Sequence, residues 1–203
     1  MLVMLGAVAS FFSLSSVVPQ VLRALRTRDV AGVSWATAVM SLATYSLWVV
    51  YAFAVADGVQ VVNNVLSFAL LGALALAVLR AGGAGGAGWA APRAVLYSAA
   101  VALVVVDMLG AFALAMTATA ISSVRMVPQA RLALSGTSLS GLDPLALALG
   151  WTGMVLWSVY GALAGDVGVL LCSGIALVMQ TVILRARVRP AALLVAGDYE
   201  LAA

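Results

Sequence analysis

The sequence predicts an all-α integral membrane protein with seven transmembrane helices, arranged as two parallel three-helix repeats joined by an inversion helix. Apolar residues make up 65% of the 203 residues and charged residues only 8%, a composition typical of chains that fold in lipid. Shifting the sequence by 109 positions lays Pro19-Gln20 on Pro128-Gln129 and Trp48 on Trp157. A repeat with so long a period indicates a duplicated structural unit. The third observation is the placement of the arginines, which sets the number of helices.

Seven apolar runs approach the length of about 20 residues that a membrane-spanning helix requires. They cover residues 2–22, 34–56, 59–79, 89–106, 111–129, 144–164 and 167–184. The fourth run is the doubtful one, and only residues 107–110 separate it from the fifth. Because the first run lacks a positively charged start and a cleavage site, we expect it to remain as the first helix.

The arginines favour the short fourth helix. All ten basic residues are Arg, and the cytoplasmic loops of membrane proteins are enriched in Arg and Lys. With seven helices every Arg lies on one side of the membrane, whereas with six the last five would face away from the first five. The amino terminus is therefore expected outside and the carboxyl terminus inside. Asp57, Asp107 and Asp166 then lie in the external turns.

This arrangement divides the chain into four segments. Residues 1–80 form the first three-helix repeat and residues 110–189 form the second. Between them, residues 81–109 comprise a Gly-rich linker, flexible by composition, and the inversion helix. Residues 190–203 are expected to be a cytosolic tail.

Composition argues against several classes of function. A single cysteine, Cys172, and the absence of histidine leave little with which to build a disulfide or a metal site, and no cofactor is expected. The predicted helices contain no paired carboxylates, so we do not expect an enzyme. The small excess of Arg is not typical of a nucleic-acid-binding protein. The expected partners are the lipid bilayer and a small solute.

Polar residues inside the helices indicate a pathway for such a solute. Ser13, Ser16 and Gln20 on the first helix are three and four residues apart and so share one face, and Ser122 is the repeat equivalent of Ser13 on the fifth. Polar groups inside a membrane face protein or water, which predicts that these faces line a cavity. The alternative is that small hydroxyl residues merely let the helices approach closely.

Pro19 and Pro128 lie near the ends of the first and fifth predicted helices. A proline inside a helix removes a hydrogen bond and bends the helix, which would create a hinge. Gln20 and Gln129 could then bond the freed carbonyl groups. The alternative is that each proline simply ends its helix before a loop.

Two charged residues near helix ends have ordinary interpretations. Asp143 precedes Pro144, and the pair predicts an N-cap followed by the first residue of the sixth helix. Arg125 is expected to be a snorkelling anchor at the cytosolic face, although it could instead be a counter-ion for a charged solute.

Trp48 and Trp157 are internal to the second and sixth predicted helices, away from the membrane interfaces where Trp is usually found. Their flat rings could stack on a sugar, although a Trp packed as core bulk is the plainer interpretation of either one alone. Asn64 follows Trp48 by 16 residues and Ser173 follows Trp157 by 16. The amide of Asn64 offers a donor and an acceptor that suit a hydroxyl-rich ligand.

These residues resemble the PQ-loop superfamily and, in their spacing, its SWEET and SemiSWEET sugar-transporter branch. The resemblance rests on Val18-Pro19-Gln20, Gly32-Val33-Ser34, Leu47-Trp48-x-x-Tyr51, Asp57 and Asn64. It implies a fused seven-helix fold that passes mono- or disaccharides down their gradient by alternating access. It places Trp48, Asn64 and Trp157 in the sugar pocket, with Ser173 where the family has a second Asn. The further residues expected to line the cavity are Ser13, Ser16, Ser122, Tyr51 and Tyr160.

Two other functions stay open at this point. One is a proton-coupled carrier of amino acids or other small metabolites, as in the cystinosin-like PQ-loop branch. The other is a sorting receptor resembling the KDEL receptor, which would need a charged pocket that these nearly charge-free helices do not predict. We expect a multi-pass protein of the cell membrane, which could form homo-oligomers.

Overall fold

The computed structural model describes residues 1–27, 30, 35–82, 88–135 and 143–188, without the side chains of residues 128, 129 and 132. Within these residues the fold consists of helices with no strand. The helices are α1 (Leu2–Thr27), α2 (Trp35–Ala54), α3 (Gly58–Arg80), α4 (Ala90–Leu134), α5 (Pro144–Ala164) and α6 (Val167–Val188). Six described helices are long and apolar enough to span a membrane, which confirms the prediction of an all-helical, multi-pass membrane protein.

The longest helix, α4, reverses direction at Gly110, whose φ of 84° and ψ of 169° are not helical. Ser98 and Ser122 each lie twelve residues from Gly110, so a straight helix would hold them about 36 Å apart. Both nevertheless contact α2 within one turn, Ser98 at Ser46 and Ser122 at Trp48. Residues 90–109 and 111–134 therefore run in opposite directions along α2, and glycine at position 110 permits the positive φ that this turn requires.

Helix α1 continues through Pro19 to Thr27, and the backbone of α4 continues past position 128 to Leu134. The interpretation that these prolines simply end their helices is therefore wrong. Other sequence features fall outside the described residues, including Gly32 and Ser34, most of the Gly-rich linker, and the tail beyond residue 188.

Aspartate side chains cap the helices at three turns, one of which is Asp166, which accepts from Val169 N at the start of α6. The Asp57 carboxylate accepts hydrogen bonds from the backbone N–H groups of Val59 and Gln60 at the start of α3. Asp143 accepts from Leu145 N at the start of α5, which confirms its predicted role as an N-cap.

The helices pack in two halves. Helix α3 lies against α1 and α2, and α6 lies against α4 and α5. The halves meet where α1 packs on α5 and where α2 packs on α4. The largest buried apolar cluster lies at this meeting and includes Leu47, Trp48, Leu114 and Trp157. The space left between the halves forms the candidate site.

Candidate functional site

A central cavity of about 260 Å³ lies between the two halves. It is lined by residues from α1 to α6, so neither half encloses it alone. It brings together Trp48, Asn64, Trp157 and Ser173, the four residues expected to bind the substrate. The expected lining residues Ser13, Ser16 and Ser122 also face it. The other polar lining residues are Thr44, Tyr45, Gln60, Asn63, Ser67, Arg125, Cys172 and Gln180.

The two tryptophans occupy equivalent positions in the repeats, and both line the cavity. Trp48 is 8% exposed and Trp157 is 7% exposed, so both rings are held mostly within the protein. The indole N–H of Trp48 donates to Ser122 Oγ at 3.1 Å, which ties α2 to α4. Both rings form edge-to-face pairs with the tyrosine one turn later on the same helix, at Tyr51 and Tyr160. These contacts restrain the two rings beside the cavity.

The polar partners of the tryptophans differ between the halves. Asn64 Nδ2 donates to the backbone carbonyl of Trp48 at 3.2 Å, and Asn63 Nδ2 donates to Asn64 Oδ1 at 3.3 Å. Ser173 Oγ instead donates to the carbonyl of Val169 within its own helix, at 2.6 Å. The first repeat therefore brings two amides to the cavity where the second brings a hydroxyl.

The serine face of α1 also faces inward. Ser16 Oγ donates to the carbonyl of Ser13 at 2.7 Å, while Ser13 Oγ is buried against α5. A Cβ added at Gly153 would lie 2.5 Å from Ser13 Oγ, so only glycine allows α1 and α5 to approach this closely. Helix packing and cavity lining are therefore combined on this face.

Arg125 lines the cavity, a position that the expectation of a snorkelling anchor did not include. Its Nη1 donates to Ser41 Oγ at 2.8 Å, and Ser41 is buried. Ser41 lies six residues into α2, about 9 Å from the start of that helix. The packing of α4 on α2 holds the guanidinium inside the bundle.

Four buried side-chain atoms have no hydrogen-bond partner within the described part of the chain, and all four belong to residues that line this cavity. They are Ser13 Oγ, Asn63 Oδ1, Arg125 Nε and Gln180 Oε1. Buried polar groups are normally paired, because an unpaired one costs about 1–3 kcal/mol. Their convergence marks the cavity as a place for a solute or water that forms hydrogen bonds.

Tyr51 and Tyr160 lie outside this lining and close one end of the cavity. The hydroxyl of Tyr51 donates to Asp166 Oδ1 at 2.8 Å, and that of Tyr160 donates to Asp57 Oδ2 at 2.6 Å. Each repeat therefore binds the aspartate of the other. Gln60 Nε2 donates to both carboxylates, at 2.9 Å in each case, and so joins the two pairs at the edge of the cavity.

The carboxylate of Asp57 is held ionised by this network. Burial by itself raises the pKa of Asp57, but the hydrogen bonds that it accepts from Tyr160, from the side chain and backbone of Gln60, and from Val59 N outweigh burial. The net result is a pKa below the ordinary value. Tyr160 is thus bonded to a charged acceptor.

The opposite end of the central cavity leads toward the end of the bundle that carries the arginines. A second cavity of about 350 Å³ shares Ser16, Met126, Gly150 and Gln180 with the first. It extends to exposed residues, which are Pro19, Gln20, Arg23 and Asp143. Pro19 and Gln20, two of the expected hinge residues, therefore line this path, while the side chains of Pro128 and Gln129 lie outside the described residues.

Sequence reasoning missed Gln60, Asn63 and Gln180 and did not place Arg125 at the cavity. A signal for two of them was available in the repeat register, because Arg125 aligns with Ser16 and Asn63 aligns with Cys172. Positions where a duplicated unit changes its polar groups are candidates for contact with an asymmetric ligand. Within the described residues, no group of three or more Cys, His, Asp or Glu is placed to hold a metal ion.

The fold and the cavity define a class of protein: a multi-pass helical membrane protein with a small polar cavity between its two halves. Residues 1–61, which comprise α1, α2 and the start of α3, match the family model described as PQ loop repeat. This match supports the PQ-loop superfamily, in agreement with the resemblance seen in the sequence. A search of curated proteins found no match.

Proposed function

We propose that the protein is a facilitative transporter that carries mono- or disaccharides across the cell membrane by alternating access. The observation that carries the proposal is the central cavity, in which Trp48 and Trp157 face a shared space together with Asn64 and Ser173. Two flat apolar rings and a set of amide and hydroxyl groups match the two kinds of surface on a sugar. At about 260 Å³ the cavity is slightly smaller than the pockets of drug-sized ligands, which favours a single sugar ring.

The described conformation corresponds to one end state of the transport cycle. The network of Tyr51, Tyr160 and both aspartates closes one end, while the second cavity leads out at the other. Opening the closed end requires both tyrosine–aspartate hydrogen bonds to break. Since each bond joins one repeat to the other, a rocking motion of the repeats would break them together.

The proposed topology has seven spans, with the amino terminus outside and two parallel repeats separated by an inversion helix. The reversal of α4 at Gly110 supports this count, because residues 90–109 and 111–134 then act as separate spans. A cysteine placed at Asp107 and one placed at Ala81, each in a Cys172→Ala background, should react with impermeant reagents from opposite sides. Labelling of both from the same side would contradict the topology.

The uniport mechanism is supported by the charges at the cavity. Within its described lining there is no acidic residue, whereas coupling to protons needs a group that exchanges protons with both sides. Counterflow of labelled solutes in proteoliposomes, with neutral sugars, acidic sugars and amino acids in parallel, tests the proposal. Exchange of a sugar without an imposed ion gradient is the expected result. Exchange confined to amino acids would overturn it.

A second candidate is a proton-coupled carrier of amino acids or other small metabolites. The observation that favours it is Arg125, a cation in the cavity that a neutral sugar does not require. Asp57 and Asp166, at the closed end, would then be the acids available for protonation. Uphill accumulation of an amino acid driven by an inward proton gradient, lost in Asp57→Asn or Asp166→Asn, would establish this candidate in place of the first.

A further inference from the structure

We propose that the solute is a sugar acid, whose carboxylate pairs with Arg125 while its hydroxyl groups bond the amides of the cavity. This inference rests on the proposed transport of sugars and narrows it to an anionic class.

The first argument is the unbalanced charge of Arg125. Its guanidinium lies between the two halves, donates to the neutral Ser41 Oγ, and keeps Nε buried without a partner in the described structure. No acidic side chain is present among the described residues of the cavity lining. A cation inside a membrane bundle is costly unless it is paired, and a carboxylate fits the fork of a guanidinium with two parallel hydrogen bonds. A monoanionic solute would supply the missing charge.

The second argument is the need for hydrogen-bond donors elsewhere in the same cavity. Asn63 Oδ1 and Gln180 Oε1 are acceptors, and both are buried without a partner within the described residues. A carboxylate cannot donate to them, but hydroxyl groups can. The cavity therefore fits a solute that carries both an anionic group and several hydroxyl groups. Uronic and aldonic acids have both.

The third argument separates a sugar acid from an amino acid. The ammonium group of a zwitterionic amino acid is best stabilised by a carboxylate. At the closed end, Asp57 and Asp166 already accept hydrogen bonds from Tyr160, Tyr51 and Gln60. In the second cavity Asp143 is engaged as a helix cap. Because Arg125 has no free carboxylate beside it, the cavity favours a monoanionic sugar acid over a zwitterionic amino acid.

The repeat symmetry assigns an orientation to the solute. Arg125 aligns with Ser16 and its partner Ser41 aligns with Gly150, so the two sites are equivalent positions in the two halves. Gln180 Oε1 lies beside Gly150, 3.2 Å from the position that a Cβ would take there. The carboxylate of the solute would thus lie at Arg125, and hydroxyl groups would lie toward Ser16 and Gln180 on the opposite side.

The inference has a measurable electrical consequence. Uniport of a neutral sugar moves no charge, whereas uniport of a sugar acid moves one negative charge per cycle. An inside-negative potential should therefore slow the entry of a sugar acid and leave the entry of a neutral sugar unchanged.

The test compares counterflow of labelled glucuronate, glucose and a neutral amino acid in proteoliposomes that contain the wild-type protein or an arginine variant. Arg125→Ser copies the residue that the first repeat has at the equivalent position. The wild type should exchange glucuronate at least tenfold faster than glucose at equal concentration. Arg125→Ser should reverse this preference, and Arg125→Lys should keep part of it, since lysine preserves the charge without the fork. Arg131→Ser, at an exposed position on the same helix, is the matched control and should behave as the wild type.

A measurement on the wild type alone guards against misfolding of Arg125→Ser. Cys172 is the only cysteine and lines the cavity, so its reaction with a small maleimide reports occupancy. Glucuronate should protect it at concentrations at least tenfold lower than glucose. Exchange of glucose without glucuronate would overturn this inference and leave the proposed sugar transport intact. Exchange of the amino acid without either sugar would overturn both.

Discussion

The two repeats place their aromatic residues in nearly the same way. Trp48 meets Tyr51 edge to face with ring centroids 5.5 Å apart, and Trp157 meets Tyr160 at 5.2 Å. The hydroxyl of each tyrosine then binds an aspartate of the other repeat. The polar groups at the cavity do not follow this symmetry, since Ser16 is replaced by Arg125 in the second repeat. The repeats therefore agree where they contact each other and differ where they face the cavity.

This difference indicates that the shared residues and the differing residues of the repeats have separate roles. In the proposed transport cycle, closure is a relative motion of the two repeats, so each repeat needs the same contacts. A solute such as a sugar has no twofold symmetry, so the two walls that it touches have reason to differ. We expect substitutions at the shared residues to have equal effects in the two repeats and substitutions at the differing residues to have unequal ones.

The largest expected effect is the loss of either tryptophan. Trp48→Ala and Trp157→Ala should each reduce counterflow by about ten- to a hundredfold, because each removes two or three contacts worth about 1 kcal/mol apiece. Trp89→Ala, at a position 74% exposed, is the control and should leave counterflow unchanged. Normal counterflow in either cavity variant would show that the paired rings do not form the binding site.

A smaller effect is expected from opening the closed end. Tyr51→Phe and Tyr160→Phe each remove one hydrogen bond to a carboxylate, worth about 1.5–3 kcal/mol, and should shift the equilibrium toward opening by roughly tenfold or more. An impermeant maleimide added at the Asp57 end should then reach Cys172 faster. Tyr97→Phe, at an exposed position, should change nothing. Strongly unequal rates in Tyr51→Phe and Tyr160→Phe would contradict the proposed symmetry of closure.

Exchanging the polar residues between the repeats should have a moderate and unequal effect. Asn64→Ser should weaken solute affinity roughly fivefold, since it removes about one hydrogen bond and frees the backbone of Trp48 from its amide contact. Ser173→Asn should be tolerated and raise affinity. Competition curves for unlabelled solute in counterflow measure both constants. Equal weakening by the two changes would mean that the cavity tolerates no departure from its present asymmetry.

The smallest expected effect is that of pH. Because the folded-state pKa of Asp57 is lowered, its contribution to stability is fully present above the ordinary pKa of about 3.9 and is lost as pH falls through the lower folded value. Exchange and melting temperature should therefore be almost flat between about pH 5.5 and 7.5 and should decline only below about pH 4. Asp57→Asn should be less stable at neutral pH and should lose less on acidification. A steep change near pH 6 would point to proton coupling instead.

Much of the site could be predicted from the sequence. Hydropathy alone located the helices to within a few residues at most ends, and the repeat register paired Trp48 with Trp157 and Asn64 with Ser173 before any contact was known. The helices are visible in the sequence because a span that faces lipid must be apolar along its whole length. The paired residues are visible because the repeat has a fixed period. The structure then brought all four side chains to one cavity.

Other features depended on how the helices pack. A position near a helix end is equally compatible with a snorkelling arginine and an inward one, and only the packing of α4 on α2 turned Arg125 toward Ser41. Tyr51 and Tyr160 follow the tryptophans by one turn, but whether that turn lies in the cavity or at its closed end depends on where the two halves meet. The repeat register and the hydropathy can be read from single segments of the chain. The depth and direction of a side chain depend on how several helices cross, and hydropathy does not encode these crossings.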